Sequence, residues 1–248
     1  MADRLTDKIH GKIIICTFPK PYPDDFAAPL EEAGAEVLYM PAIEIRALPY
    51  HLKKDINSYD WIVFTSKNGI RFFKEELEMK TMKHIAVLGD ATASELRKRG
   101  ISPDFIGSGL SGVDFADELK QNVAPGESIL LILGELAPNT LINTLNNRNP
   151  VDRINVYQTI APDKLNPKFT TLIRQNQYDL MLISSPSAIK NLYLALQPQN
   201  IEWRLVSIGK TTTAACRDLQ IEPLATAKES SYKGLAEATL EYLKNKKI

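Results

Sequence analysis

Six stretches of the chain are apolar at nearly every position: Lys12–Thr17, Trp61–Thr65, Ile85–Leu88, Ile129–Leu133, Leu180–Ser184 and Leu205–Ile208. Short β-branched runs with no polar face predict strands covered on both sides, as in a parallel sheet. Helical spacing of apolar positions marks the segments between them: Asp25–Ala33, Asn68–Leu77, Ala91–Arg99, Val113–Asn122, Thr140–Asn146, Ser187–Leu196, Thr212–Leu219 and Gly234–Lys244. Strand alternating with helix predicts an α/β, doubly wound architecture. Pro-containing joints fall at Phe18–Pro23, Met40–Pro41 and Ala161–Pro162.

The pattern repeats. Tyr59–Ser66 (YDWIVFTS) followed by Ile70-Arg71 matches Tyr178–Ser185 (YDLMLISS) followed by Ile189-Lys190, an offset of 119. Gly89, Thr92, Arg97, Ile101 and Pro103 then match Gly209, Thr212, Arg217, Ile221 and Pro223 at an offset of 120, and Phe115-Ala116 falls on Leu235-Ala236. Each identity is weak, but their order at a nearly constant offset predicts two related α/β domains.

Each copy carries two strand-to-helix turns rich in small hydroxyl residues: Thr65–Asn68 and Gly89–Thr92 in one, Ser184–Ser187 and Gly209–Thr212 in the other. Capping of helix N-termini explains such residues individually. Turns at the carboxyl ends of parallel strands are also where α/β folds bind ligands, and free N–H groups at a helix start favour anions. Four turns paired across two copies therefore predict a cleft between the copies that receives an anionic ligand. Ser66, Thr92, Ser185, Ser187, Thr211 and Thr212 are the residues expected to face it. Lys210 is placed to pair with a carboxylate or simply to stay solvated.

Charge and composition narrow the chemistry. The 248 residues include 30 basic and 30 acidic side chains, scattered among one another, so no basic stripe for nucleic acid is present. The apolar runs are far shorter than the ~20 residues that span a bilayer, and the polar N-terminus MADRLTDKIHGK has no apolar signal segment behind it. Cys16 and Cys216 lie far apart, and His10, His51 and His84 form no HExxH-type cluster. A cytoplasmic, metal-free protein is expected. Gly107–Gly112 (GSGLSG) fits GxGxxG, but the Pro-broken segment before it predicts a loop before a helix rather than a dinucleotide fingerprint. Gly109–Val113 misses GxSxG, and Gly209-Lys210-Thr211 lacks the upstream Gly of a P-loop.

Taken together, the segments resemble a known family. Leu30–Ile45 (LEEAGAEVLYMPAIEI) is similar to the first βαβ joint of uroporphyrinogen-III synthases. Trp61–Phe73, Ala86–Leu96, Val156–Thr159, Leu182–Ala188 and Ser207–Ala215 resemble that family's later blocks in the same order. The resemblance runs from Lys12 to Leu240. Phe18 and Leu133 stand where many members carry Arg.

That resemblance implies two flavodoxin-like doubly wound parallel-sheet domains joined by a two-strand connector around Met40–Ile45 and Asn155–Ile160. Residues 1–41 and 161–248 would form one discontinuous domain and residues 42–160 the inserted one. It implies the conversion of hydroxymethylbilane to uroporphyrinogen III, with inversion of the last pyrrole ring and loss of water, by a monomer needing no cofactor or metal. It points to Tyr157, in the block VYQT, as the acid that assists loss of the hydroxyl; an aromatic that only packs in a connector strand is the plain alternative. Substrate contacts are expected from Thr65, Ser66, Thr92, Ser185, Ser187, Gly209, Lys210, Thr211 and Thr212. Two other readings stay open: a non-catalytic two-lobed protein that binds an anion or tetrapyrrole, and a dinucleotide-dependent oxidoreductase resting on Gly107–Gly112.

Overall fold

The computed structural model describes residues 9–19, 26–74, 83–109, 111–197 and 200–245. Most of the Phe18–Pro23 joint, Asp25 at the expected start of the first helix, Leu77 at the expected end of the second, and Leu110 of the glycine-rich loop lie outside the described residues. The chain divides into two compact units, one comprising Met1–Ile45 and Ile160–Ile248, the other Arg46–Thr159.

The first unit holds the strands β1 (Ile13–Cys16), β2 (Glu36–Tyr39), β9 (Leu180–Ile183), β10 (Leu205–Ser207) and β11 (Ala225–Thr226), in the spatial order β2-β1-β9-β10-β11. All its pairings are parallel. Ranked along the chain this is 2-1-3-4-5, the flavodoxin order. Its helices are α1 (Ala28–Glu32), α6 (Pro167–Arg174), α7 (Pro186–Leu196), α8 (Lys210–Asp218) and α9 (Tyr232–Asn245).

The second unit holds β4 (Trp61–Phe64), β5 (His84–Val87), β6 (Phe105–Ile106), β7 (Ile129–Gly134) and β8 (Val151–Ile160), with β3 (Glu44–Ala47) at the edge beside β8. Its helices are α2 (Lys67–Phe72), α3 (Asp90–Arg97), α4 (Gly112–Asn122) and α5 (Thr140–Leu145). The order β8-β7-β4-β5-β6 is 5-4-1-2-3 along the chain. Counting from β7 instead turns it into 2-1-3-4-5. The second sheet is thus a cyclic permutation of the first, with β7 and β8 in the places of β1 and β2.

Pairing registers confirm the correspondence residue by residue. Trp61 lies opposite Ile129 as Leu180 lies opposite Ile14. Asp60 accepts from the Ser128 N–H at 2.8 Å before β7, and Asp179 accepts from the Ile13 N–H at 2.9 Å where β1 begins. On this register Phe18 and Leu133 are equivalent, and both are buried. Phe18 sits among the rings of Phe26, Tyr39 and Tyr232, with centroids 4.8, 6.4 and 4.9 Å away. Carboxylate contacts from a side chain are not available at either place.

Apolar alternation explains why each sheet is covered on both faces. In β4, Ile62 and Phe64 join one core while Trp61 and Val63 join the other. In β9, Met181 and Ile183 face one core and Leu180 and Leu182 the opposite one. Helix α2 ends at Phe72, and Phe73 is already extended, so the expected helix from Asn68 stops early within the described residues. Among the described residues no helix is long and apolar enough to cross a membrane.

Candidate functional site

The ten expected site residues fall into two groups, one in each unit. Thr65, Ser66, Thr92 and Tyr157 belong to the second unit, and Ser185, Ser187, Gly209, Lys210, Thr211 and Thr212 to the first.

In the second unit the chain leaves β4 through Thr65 and Ser66, both half-buried. Ser66 caps α2, its Oγ accepting from the Gly69 N–H at 3.1 Å. The same Oγ lies 3.0 Å from the Tyr157 hydroxyl, which reaches it from β8. Either oxygen can donate in that pair. Phe72 flanks the phenol, ring centroids 6.1 Å apart. Gly134 makes room for it: a Cβ there would stand 2.5 Å from Tyr157 Cζ and 2.8 Å from its oxygen. The second turn is capped by Gly89, which offers no side-chain acceptor, so first-turn N–H groups of α3 have no side-chain cap. Thr92 follows and is buried, 6% exposed.

The first unit repeats this construction. Ser185 caps α7 with its Oγ 3.2 Å from the Ala188 N–H, in the same extended conformation as Ser66. Gly209 caps α8 as Gly89 caps α3, again without a side-chain acceptor. Ser187 is half-buried, Lys210 and Thr211 are exposed, and Thr212 is buried, 3% exposed. This copy too has a phenol at its first turn: Tyr232, from the start of α9, hydrogen-bonds Ser184, and burial pushes its pKa upward.

Charge is distributed differently at the equivalent turns. Asp90 opens α3, whereas Lys210 opens α8; Lys67 opens α2, whereas Pro186 opens α7. A cation beside uncapped N–H groups favours a carboxylate, and an aspartate there disfavours one. Only α8 combines a cation, Lys210, with N–H groups that have no side-chain cap; at α2 Lys67 stands beside a turn that Ser66 already caps. Gly134, Phe72 and Tyr232 escape a reading of single motifs, because their partners come from distant parts of the chain, whereas Lys67 lies within the Thr65–Asn68 turn itself. For Gly134 the one local signal is a glycine closing an apolar strand.

The glycine-rich loop has packing reasons. A Cβ on Gly107 would strike Phe115 at 2.3 Å, and one on Gly89 would come 3.0 Å from the Gly109 Cα, where φ is +75°. The Ser108 N–H donates to Glu118 Oε2 at 3.0 Å, so a carboxylate already holds a donor that a bound phosphate would need. Cys16 and Cys216 are buried free thiols, and burial raises the pKa of both, that of Cys216 to about 11. His84 stacks on Trp61, ring centroids 4.6 Å apart. No cluster of three or more His, Cys, Asp or Glu suited to a metal occurs among the described residues.

Comparison with known proteins gives the family of the chain. The family model described as uroporphyrinogen-III synthase HemD matches residues 24–237. The chain is 26% identical over 247 residues to the porphyrin biosynthesis protein HemD of Ruminiclostridium josui, covering 94% of this chain but only 49% of that protein. It is 24% identical over 223 residues to the uroporphyrinogen-III synthase of Chlorobaculum parvum, covering 85% of this chain and 91% of the relative. The crystal structure of the Helicobacter pylori uroporphyrinogen-III synthetase shares the fold, with a TM-score of 0.67 at 17% identity over 93% of this chain and 99% of that one. Since the family model spans most of its length, the chain belongs to the uroporphyrinogen-III synthase family, enzymes of tetrapyrrole biosynthesis.

Proposed function

We propose that this chain closes hydroxymethylbilane to uroporphyrinogen III, releasing water and inverting the last pyrrole ring. Loss of the terminal hydroxyl needs a proton donor. A phenol hydroxyl can supply a hydrogen bond or proton to the leaving oxygen. The observation that carries the reading is Tyr157 itself: its hydroxyl stands 3.0 Å from Ser66 Oγ at a strand end of the second unit. The resulting azafulvene reacts with the last ring through a spiro intermediate, driven by the pyrrole nitrogens. The protein's share is to hold the bilane so that the inverted closure outruns the spontaneous one. The substrate's acetate and propionate arms suit the cations Lys67 and Lys210, and at Lys210 the N–H groups of α8, which have no side-chain cap, add to the side chain.

The two buried, unpaired cysteines agree with a cytoplasmic setting, and we take the acting species to be the monomer, which sedimentation of the purified chain tests. The activity itself is tested by incubating the protein with freshly made hydroxymethylbilane, oxidising the product and separating isomers I and III. Isomer III is expected. Isomer I alone, at the spontaneous rate, would leave a non-catalytic tetrapyrrole binder as the better account.

A further inference from the structure

Strand β8 is irregular where it matters. Its register with β7 runs Leu131↔Arg153, Ile132↔Ile154, Leu133↔Asn155, and then skips to Gly134↔Tyr157. One residue of β8, Val156, is left over, the hallmark of a bulge that re-aims a side chain. The effect is visible in the packing. Val151 packs against one core of this unit, while Ile154 and Val156 belong to the other. Strict alternation would return Tyr157 to the side of Val151. Instead the ring packs against the core of Ile154 and Val156, and its hydroxyl meets Ser66.

The bulge has a clamp. The Arg153 guanidinium donates through Nη2 to the Gly134 carbonyl at 3.1 Å and the Glu135 carbonyl at 3.2 Å. It donates through Nη1 to Asn139 Oδ1 at 2.7 Å and through Nε to Asn155 Oδ1 at 2.8 Å. All four acceptors are neutral, so among the described residues Arg153 is not half of an ion pair. Its planar fork ties the end of β7 to the residue of β8 just before the extra one, a geometry that a lysine ammonium does not reproduce. The Glu135 N–H closes the same junction by donating to the Tyr157 carbonyl at 2.9 Å.

We propose that Arg153 is the positioning residue that, by clamping the bulged junction at Gly134, holds the Tyr157 hydroxyl on Ser66. The inference rests on the reading of Tyr157 as the acid only for its consequence in turnover; its geometric content stands separately, and two readouts keep them apart. The first is the 13Cζ resonance of Tyr157 in protein labelled at its tyrosines, assigned by its loss in Tyr157→Phe. Arg153→Met should shift that resonance, while Arg148→Met, which removes an exposed guanidinium elsewhere, should not. The second is single-turnover formation of isomer III. Arg153→Met should slow it by about 10²-fold, the scale of an ångström-sized misplacement, with little change in KM. In the Tyr157→Phe background the same change should slow it no further, because both act through one group. Arg153→Lys should fail to rescue, and it replaces Arg153→Met should that variant not fold by thermal melt. An unmoved Tyr157 resonance, rescue by lysine, or independent multiplication of the two rate losses would each overturn the assignment. A shifted resonance with Tyr157→Phe at the wild-type rate would uphold the clamp and refute the acid.

Discussion

A buried hydroxyl triangle separates the two copies and allows a quantitative test of what holds the first one together. Ser207 on β10, Thr213 on α8 and Thr226 on β11 are mutually hydrogen-bonded, with Oγ–Oγ1 distances of 2.5 Å for Ser207–Thr213, 2.7 Å for Thr213–Thr226 and 3.3 Å for Ser207–Thr226. Ser207 is 0% and Thr213 5% exposed. The repeat places Val87, Ala93 and Ile106 at the same three points of the second unit, and the pairing Val87↔Ile106 mirrors Ser207↔Thr226. Thr213→Ala breaks the two shorter bonds and leaves Ser207 with the longest. The two lost hydrogen bonds are worth about 0.5–1.5 kcal/mol each, and the lost methyl adds about 1 kcal/mol. A destabilisation of about 2–4 kcal/mol is expected. Replacing all three by the residues of the other copy, Ser207→Val, Thr213→Ala and Thr226→Ile, leaves the number of heavy atoms unchanged and removes every hydroxyl. Replacing all the partners of a hydrogen-bonded group by apolar groups of similar size can be nearly neutral, so the triple variant should be more stable than the single one.

Urea unfolding provides the assay. Each unit carries one of the chain's two tryptophans, Trp203 in the first and Trp61 in the second, so a Trp61→Phe background reports on the first unit. Midpoints are compared at constant slope, which keeps the result a statement about stability. If the triple variant unfolds at the same urea concentration as Thr213→Ala, or earlier, the triangle is not interchangeable with an apolar cluster and the equivalence of the copies fails at this point.

Three further outcomes follow from other parts of the molecule. Tyr157→Phe should lower turnover by about 10- to 10⁴-fold, the range for losing a positioned proton donor, with isomer III still the product and the melting temperature little changed; single-turnover kinetics and a thermal melt check it. The Asp60 carboxyl is held at about 2 by Lys83 and by the Ser128 N–H and hydroxyl. Because its folded pKa lies below the unfolded value of ~3.9, its contribution is present above about pH 4 and lost as pH falls through about 2; melts between these pH values should show a steeper loss for wild type than for Asp60→Asn. Gly112→Ala and Gly234→Ala should have opposite signs: nothing lies within 4 Å of a Cβ at Gly112, so alanine's helix preference should add up to about 1 kcal/mol, whereas a Cβ at Gly234 would meet the Glu229 carbonyl oxygen at 2.3 Å and should cost about 1–3 kcal/mol. Urea midpoints of the two variants read the difference.

What the sequence revealed follows the physics of burial. The six strands read from apolar runs are the central ones, where both faces are covered. The strands that escape that reading are short or lie toward the sheet edges: Glu36–Tyr39, Glu44–Ala47, Phe105–Ile106 and Ala225–Thr226, together with the mixed segment Val151–Ile160. Helix α6 escaped because it opens on Pro167 and buries only Ile173 fully. The repeat was legible because it stays in order, from Tyr59 to Ala116 and from Tyr178 to Ala236. The permutation was not, since β1 and β7 share only an apolar run that any central strand would have. Nor was the Ser66–Tyr157 contact, whose partners stand 91 positions apart and meet through a bulge that no local spacing encodes.

The permutation also bears on why the phenols of the two copies come from different elements. In the first unit the equivalent of β8 is β2, which ends at Tyr39; beyond it the Met40 and Ala42 N–H groups still donate to the Cys16 and Thr17 carbonyls at 2.8 and 3.1 Å. The position beside Ser184 is filled there by Tyr232, from a helix start rather than from a strand. In the second unit β8 continues for ten residues, past the end of β7, and carries both the phenol and the arginine that braces its junction. A hydroxyl presented from a strand is held by ladder bonds on either side of it, here Glu135 N–H to the Tyr157 carbonyl and Leu48 N–H to the Val156 carbonyl, each at 2.9 Å. A hydroxyl presented from the first residue of a helix has one such constraint fewer, since that end of the helix lacks preceding turns to bond to. If directional proton donation is what the reaction requires, the strand-borne phenol is the one built for it, and Tyr232 is left to pack with Phe18 and Phe26 beneath its own serine.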